Sequence, residues 1–233
     1  MAGDCRRPRG PEVHHPARQA AGGAVRVDSG LAQRLLAKAV AYGACARLVS
    51  PSSGGLAPPE SVDWLGRSLG YLGLEEGREH LRAFLQDVQG DPEGYRAEYV
   101  RVFERGTVPP YEASQHGSGP QPLGGPNVQV IADVAGFYRA FGFQARGERP
   151  DHLGAELEFL ALVCTQEAYA RLAGREEDAE VCARARQSFL REHLGTWVGA
   201  LRTRVQQASP RPALYHLLAL VDALVRADAA EAA

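Results

Sequence analysis

Lysine is almost absent from this sequence, since Lys38 is the only one among 233 residues and lies within a predicted helix. A glycine-rich loop that grips phosphate needs a lysine at its end, between a strand and a helix. The glycine-rich stretch at 117–125 has no such lysine, so it is not a P-loop. Ser114 lacks the Gly-x-Ser-x-Gly setting of a nucleophilic serine. We therefore predict no catalytic residue and no enzymatic activity.

Cysteine is also scarce. The four cysteines, Cys5, Cys45, Cys164 and Cys182, lie far apart and form neither a Cys-x-x-Cys pair nor a Cys/His cluster with the spacing of zinc ligands. We expect a reduced chain without a metal site or a cofactor of its own. Cys164 falls on an apolar helical face, where a free thiol usually behaves as a small hydrophobic residue.

Long apolar runs are missing, and so is an excess of one charge. No segment approaches the roughly eighteen consecutive apolar residues of a membrane span. Arg6 and Arg7 are not followed by the apolar run of an export signal. The formal net charge is -2 and the arginines are scattered, which argues against nucleic acid as a main partner. We expect a cytoplasmic protein that neither inserts into membranes nor binds nucleic acid.

What the sequence does contain is helical periodicity. Apolar residues recur at helical spacing in nine segments, at about 31–49, 59–72, 75–88, 91–104, 127–141, 151–173, 176–194, 197–205 and 214–225. No segment alternates with period two. These patterns predict an all-α, single-domain bundle of about eight or nine helices at 30–228. Residues 1–29 are expected to form a disordered tail and residues 229–233 a C-terminal tail.

One long loop interrupts the helices. Residues 106–126 contain five glycines and five prolines among 21 residues. At its start, Pro109 and Pro110 remove two backbone donors and restrict φ, so the preceding helix must end by about Val108. Tyr111 and Glu112 then follow from a stiff segment. Such a segment loses little entropy on binding, which suits a binding role, although on local grounds a simple helix stop is the better explanation of the two prolines.

A second polar motif opens the helix that begins near Asp151. His152 and Glu156 are four residues apart and share a helical face. The group could provide a general base, part of a metal site or a polar anchor for a ligand. Alternatively, Asp151 caps the helix and His152 pairs with Glu156, which is a purely structural role. A metal site is disfavoured because no further ligands lie nearby in sequence.

Taken together, these motifs resemble the TorD family of redox-enzyme maturation chaperones. The similarity rests on Glu98-Tyr99-x-Arg101-x-Phe103, Pro109-Pro110-Tyr111-Glu112-x-Ser114, Pro150-Asp151-His152-Leu153-x-x-Glu156-Leu157-Glu158-Phe159-Leu160 and Phe189-Leu190-x-x-His193-Leu194-x-x-Trp197, in that order. It spans most of residues 31–205.

The resemblance implies a dedicated cytoplasmic chaperone for one molybdenum enzyme of the dimethyl-sulfoxide-reductase type. Such proteins bind the twin-arginine leader or N-terminal segment of the catalytic subunit before export, and aid insertion of the client's molybdopterin guanine dinucleotide. The implied peptide-binding residues are Tyr111, Glu112, Asp151, His152, Glu156, Tyr42 and Trp64.

Two other interpretations stay open at this point: a nucleotide (GTP)-binding switch, and an accessory subunit of a redox complex. A monomer and a homodimer are both compatible with the sequence.

Overall fold

The computed structural model describes residues 29–50, 58–115, 127–147 and 149–231. Within these residues there are nine α-helices and no β-strand. They are α1 (Ser29–Leu48), α2 (Pro59–Leu72), α3 (Glu75–Gly90), α4 (Pro92–Tyr99), α5 (Val128–Ala140), α6 (Leu153–Leu172), α7 (Glu176–Glu192), α8 (Leu194–Ala208) and α9 (Pro212–Glu231). The predicted all-α bundle is confirmed. The predicted N-terminal tail lies outside the described residues except for Ser29, as do residues 116–126 of the long loop.

Helix α6 occupies the centre of the bundle. It packs along α1 on one side and α7 on the other, while α9 packs along α3 and α8. The predicted stripe of Leu153, Leu157, Leu160, Cys164 and Ala168 is fully buried, and so are Phe159 and Val163 on other faces of the helix. A helix that is apolar on several faces belongs inside a bundle, because it can be covered from more than one side.

Local signals set several helix ends where the sequence predicts them. Asp91 caps α4 by accepting from the backbone N–H of Gly94 at 2.9 Å, and Asn127 caps α5 by accepting from that of Gln129 at 3.2 Å. After α4 the chain continues as a π-helical turn, Val100–Glu104, and then leaves the helical path before Pro109. Gly174 follows α6 with a positive φ of 68°, which suits glycine.

The C-terminal boundary differs from the sequence prediction. Helix α9 continues to Glu231, beyond the predicted domain end at residue 228. The physical reason is ionic: Lys38 Nζ on α1 lies 2.6 Å from Asp228 Oδ1 and 2.7 Å from Glu231 Oε2. These contacts attach the last turn of α9 to the first helix. No helix in the described part of the chain has the length and hydropathy to cross a bilayer.

Candidate functional site

The Pro-Pro-Tyr-Glu loop is bonded directly to the chain that enters α6. The carbonyl of Pro110 accepts from the backbone N–H of Leu153 at 2.9 Å, and the N–H of Glu112 donates to the carbonyl of Asp151 at 2.9 Å. Tyr111 and His152 thereby form an isolated antiparallel bridge. The structure thus brings together two motifs that are about forty residues apart in sequence.

Asp151 fastens this junction. Its Oδ2 accepts from the backbone N–H of Ala113 at 3.1 Å and from Arg149 Nη2 at 2.6 Å, and its Oδ1 accepts from Arg149 Nε at 3.0 Å. The Arg149 guanidinium carbon also lies 4.4 Å from the centre of the Tyr111 ring. Asp151 is fully buried. Its carboxylate is therefore already used by internal partners.

His152 is the N-cap of α6, where the structural interpretation of the sequence placed Asp151. Its Nδ1 accepts from the backbone N–H of Gly154 at 3.0 Å, which requires that Nδ1 carry no proton. The His152 and Tyr111 rings meet edge to face with centres 5.2 Å apart. The cap moves by one residue because the backbone of Asp151 is engaged with Glu112.

Glu112 and Glu156 form the buried acidic part of the site. Both carboxylate oxygens of Glu112 lie near His193 Nδ1, at 3.2 and 3.1 Å. Glu156 Oε2 accepts from Trp197 Nε1 at 3.2 Å, whereas its Oε1 receives no hydrogen bond from any described donor. Burial, and then the negative charge of Glu112, raise the pKa of Glu156 well above its ordinary value.

The raised pKa means that the neutral form of the Glu156 carboxyl group persists to a higher pH than in an exposed glutamate. In its neutral form the Glu156 carboxyl group can donate a hydrogen bond to Glu112, and this interaction also raises the pKa of Glu156. Two buried carboxylates in contact cannot both ionise without strong repulsion. We call the whole group the loop–helix cluster; its members are Glu112, Asp151, His152, Glu156, His193 and Trp197.

Three members of this environment were not among the predicted site residues. His193 and Trp197 lie at the α7–α8 junction, four residues apart. The sequence signal for them was their position in the Phe189-to-Trp197 motif, where a histidine interrupts an apolar pattern. Arg149 belongs to an irregular segment, and no local pattern indicates that it pairs with Asp151.

Tyr42 lies in a different polar group. It is fully buried and its hydroxyl donates to Asp228 Oδ2 at 2.9 Å. Asp228 also accepts from Lys38 and Arg186, and Arg186 Nε lies 3.2 Å from Glu167 Oε2. Because its side chain has no access to solvent, Tyr42 cannot line a surface groove. We call this second group the four-helix ion network; it consists of Lys38 on α1, Glu167 on α6, Arg186 on α7 and Asp228 on α9.

Trp64 projects from α2 into solvent. It is 57% exposed, and the Arg67 guanidinium carbon lies 5.4 Å from its ring centre. It has an accessible apolar face, but the structure does not place it with Tyr111 and His152. Of the predicted residues, the loop–helix cluster thus unites Glu112, Asp151, His152 and Glu156, with the half-buried Tyr111 beside it.

A surface cleft adjoins the loop–helix cluster. It has a volume of about 780 Å³ and lies between α5 and the end of α7. Glu112, His193 and Phe137 contribute to its lining, and the Phe137 and His193 rings meet edge to face with centres 5.3 Å apart. The exposed residues Asp133, Arg139 and Glu192 line it as well. The α5–α7 cleft therefore connects Glu112 and His193 of the loop–helix cluster to the surface.

We also searched the described residues for a metal site and for a reactive thiol. Within the described ranges, no group of three or more His, Cys, Asp and Glu side chains is arranged to hold a metal ion. Cys45, Cys164 and Cys182 are free and buried, and burial raises the pKa of the Cys45 thiol to about 12. A thiol of that acidity is not a nucleophile at neutral pH. Cys5 lies outside the described residues.

Comparisons with known proteins indicate the class of protein that this chain resembles. The similar curated proteins found are assembly chaperones for reductases, and none of them is an enzyme. Residues 71–203, more than half of the chain, match the family model described as nitrate reductase delta subunit, and the chain belongs to this family. The resemblance to the TorD family of maturation chaperones is thereby confirmed.

The relatives include the selenate reductase assembly chaperone protein of Thauera selenatis, which is 38% identical over 130 residues, covering 53% of this chain and 63% of the relative. The chlorate reductase assembly chaperone protein of Ideonella dechloratans is 35% identical over 130 residues, with the same 53% and 63% coverage. The perchlorate reductase assembly chaperone protein of Dechloromonas aromatica (strain RCB) is 32% identical over 133 residues, covering 56% of each.

The aligned part of the chain thus spans less than two thirds of the length of these relatives. A comparison with solved structures found no match.

Proposed function

We propose that this protein is a cytoplasmic assembly chaperone for a molybdenum-containing reductase of the dimethyl-sulfoxide-reductase type. It binds the leader or N-terminal segment of the catalytic subunit, delays export through the twin-arginine pathway, and aids insertion of molybdopterin guanine dinucleotide into the client. Family membership and the assembly-chaperone relatives support the general role. The single structural observation that carries it is the Tyr111–His152 bridge, which lies beside an open cleft.

The site is suited to positioning a peptide rather than to chemistry. Asp151 and His152 have their polar atoms engaged with Ala113, Arg149 and Gly154, so they hold the loop against α6. Tyr111 is half-buried and retains surface that a partner can contact. We assign Asp151, His152 and Glu156 as positioning residues, and Tyr111 as a contact residue, for the client segment.

The nucleotide-switch interpretation gains no support from the structure. Lys38, the only lysine, is 4% exposed and is paired with Asp228 and Glu231. Withdrawing it to grip a phosphate would leave a buried carboxylate without one of its cations, which is costly. The accessory-subunit interpretation makes a different prediction, namely that the chain stays with the mature, exported enzyme.

The test is capture of the client. The full chain, tagged, is co-expressed with the catalytic subunit of the molybdoenzyme tested as its client, once with and once without the subunit's N-terminal segment. We expect capture of the complete precursor, loss of capture without the segment, and no chain in the mature complex. Equal capture of both forms would contradict recognition of the N-terminal segment, and recovery of the chain with the mature enzyme would favour an accessory subunit.

A further inference from the structure

Two histidines meet at the interface between α3 and α9. His80 Nδ1 on α3 lies 3.0 Å from His216 Nδ1 on α9, and the two ring centres are 5.3 Å apart. Both residues are half-buried, and Tyr215 packs edge to face against His80 with ring centres 6.1 Å apart. Neither histidine belongs to the loop–helix cluster or to the four-helix ion network.

This contact depends on a single proton between the two nitrogens. A hydrogen bond between Nδ1 of His80 and Nδ1 of His216 needs one N–H and one lone pair, so two neutral rings must be in different tautomers. One added proton preserves the bond, because a cationic ring can donate to its neutral neighbour. A second added proton puts a hydrogen and a positive charge on each side. Double protonation therefore breaks the contact.

The surroundings of His216 set the direction of its pH dependence. Burial, and then the neighbouring His80, lower the pKa of His216, whereas Asp87 acts in the opposite direction. A histidine whose pKa falls on folding contributes stability that is fully present above its unfolded pKa, about 6.5. That stability is lost as the pH falls through the folded pKa. The contact is thus sensitive to acid below about pH 6.5.

Asp87 on α3 offers His216 a second partner. Its Oδ2 is buried and receives no hydrogen bond from any described donor, and Arg211 Nη2 lies 3.5 Å from it. Asp87 and His216 line the same cavity of about 440 Å³ at the start of α9. His80 and Asp87 are seven residues apart, which places them on one face of α3. The His216 ring can therefore reach either side chain from its position on α9.

The other polar groups at this interface leave that carboxylate oxygen available. Arg211 Nη1 donates to Asp91 Oδ2 at 2.7 Å. Tyr95 on α4 is fully buried, and burial raises its pKa, so it stays neutral. The remaining charged residues of the neighbouring elements are exposed or pair with one another: Glu79 and Arg82 on α3 and Glu60, Asp63 and Arg67 on α2 are exposed, and pairs join Glu75 to Arg78, Glu76 to Arg226, Glu98 to Arg101 and Arg202 to Asp222.

We propose that His80 and His216 form an acid-sensitive contact in which His216 exchanges partners. At neutral pH, one proton joins the two imidazoles. When both rings are protonated they separate, and His216 turns to the carboxylate of Asp87. Helix α3 then loses its bond to α9 at His80 and gains one at Asp87, about two helical turns further on. The contact lies apart from the client site, so it does not depend on the proposed function.

NMR titration of the histidine side chains in the full chain, from about pH 8 to about pH 5, tests the exchange. In the wild type, the side-chain nitrogen shifts at pH 8 should show one protonated and one unprotonated Nδ1 in the pair. His80→Asn removes the neighbouring cation, so the pKa of His216 should rise by about 0.5. Asp87→Asn removes the second partner, so it should fall by about 0.5. Glu180→Gln removes an exposed charge on α7 and should leave it unchanged.

Amide hydrogen exchange reports whether the interface responds locally. After correction for the intrinsic effect of pH, protection at His80–Phe84 should fall about threefold between pH 8 and pH 5, since a pKa difference of about 0.5 corresponds to that factor. Protection in the centre of α6 should stay constant. In His80→Asn, the fall at the same amides should be smaller.

Three results would overturn the proposal. The first is the same Nδ1 protonation state on both rings at pH 8, which the wild type reports without any substitution. The second is a His216 titration that neither His80→Asn nor Asp87→Asn moves. The third is a loss of protection that spreads equally through α3, α6 and α9, because the acid response would then be global unfolding rather than an exchange of partners.

Discussion

The two buried polar groups of this protein differ in charge balance. The four-helix ion network has two cations, Lys38 and Arg186, and two anions, Glu167 and Asp228, joined by direct ion pairs. The loop–helix cluster has three carboxyl groups, on Glu112, Asp151 and Glu156. Within the described residues, Arg149 is the guanidinium that contacts one of them. Both groups are buried, but among the described residues Lys and Arg side chains pair with both carboxylates of the first group and with Asp151 alone in the second.

This difference indicates different roles. The four-helix ion network gives the four helices defined positions, because local unfolding would separate each charged group from its partner. In the loop–helix cluster, burial and the charge of Glu112 raise the pKa of Glu156, and Glu112 lines a cleft. The comparison therefore predicts that changes in the ion network act on stability, whereas changes around the loop–helix cluster act on pH dependence and on binding.

The largest effect is expected for Asp228→Asn. Asp228 accepts from Lys38, Arg186 and Tyr42, so its neutral replacement leaves two buried cations with a missing partner. Breaking a buried pair in this way typically costs about 3–5 kcal/mol of unfolding free energy. Urea unfolding, with Glu180→Gln as an exposed control, measures it. A loss below about 1 kcal/mol would mean that the network does not hold the helices together.

A smaller effect is expected for Arg149→Gln. This change removes the guanidinium from Asp151, although the N–H of Ala113 still donates to that carboxylate. Because the Arg149 side chain is 37% exposed, solvent screening reduces the loss, and we expect about 1–2 kcal/mol. Hydrogen exchange at Glu112 and Leu153 should accelerate, since their N–H groups join the loop to α6. Unchanged exchange there would show that Arg149 does not fasten the loop.

The pH dependence of the unfolding free energy, through Glu156, further distinguishes the loop–helix cluster from the four-helix ion network. A carboxyl group whose pKa is raised by folding stabilises fully below its unfolded pKa, about 4.3, and that stability is lost as the pH rises through its folded pKa. Glu156→Gln cannot ionise. We therefore expect the variant to gain stability relative to wild type as the pH increases above about 4.3, and to lie within about 1 kcal/mol of wild type near pH 4.

Urea unfolding of wild type and Glu156→Gln at several pH values measures this difference. The same series on Glu180→Gln, an exposed pair with Arg184, provides the control. A difference in unfolding free energy between Glu156→Gln and wild type that does not vary with pH would contradict the raised pKa of Glu156.

The smallest effect is expected for Trp64→Ala. Trp64 belongs to neither buried group and does not line the α5–α7 cleft. Its exposed position predicts a change in unfolding free energy within about 0.5 kcal/mol. Leader affinity, measured by calorimetry, should equal that of wild type. Weaker binding would show that the client contacts a second surface on α2.

The sequence was sufficient to predict the helices and, through the family resemblance, the residues of the loop–helix cluster that come from the two motifs. Helical periodicity located the buried stripe of α6, and the resemblance to the TorD family named Tyr111, Glu112, Asp151 and His152 together. The sequence was not sufficient to predict the ion pairs of the four-helix ion network. Lys38 and Asp228 lie almost two hundred residues apart, so their burial depends on how α1 meets α9, which no local pattern encodes.

The same dependence on tertiary contacts explains why the predictions for Tyr42 and for the N-cap of α6 had to be revised. Tyr42 follows helical spacing like any core aromatic, and only the position of Asp228 shows that its hydroxyl is engaged. Asp151 is a preferred N-cap by residue type, whereas His152 is not. Which of them caps α6 depends on the backbone contact between Glu112 and Asp151, which is tertiary.

Hydrogen exchange of the full chain with and without the client leader peptide tests the central claim most directly. The account predicts slower exchange in α5, at Tyr111–Ser114 and at the start of α8, with no change in the paired segments of α1 and α9. Protection confined to α1 and α9, or to α2 around Trp64, would contradict it.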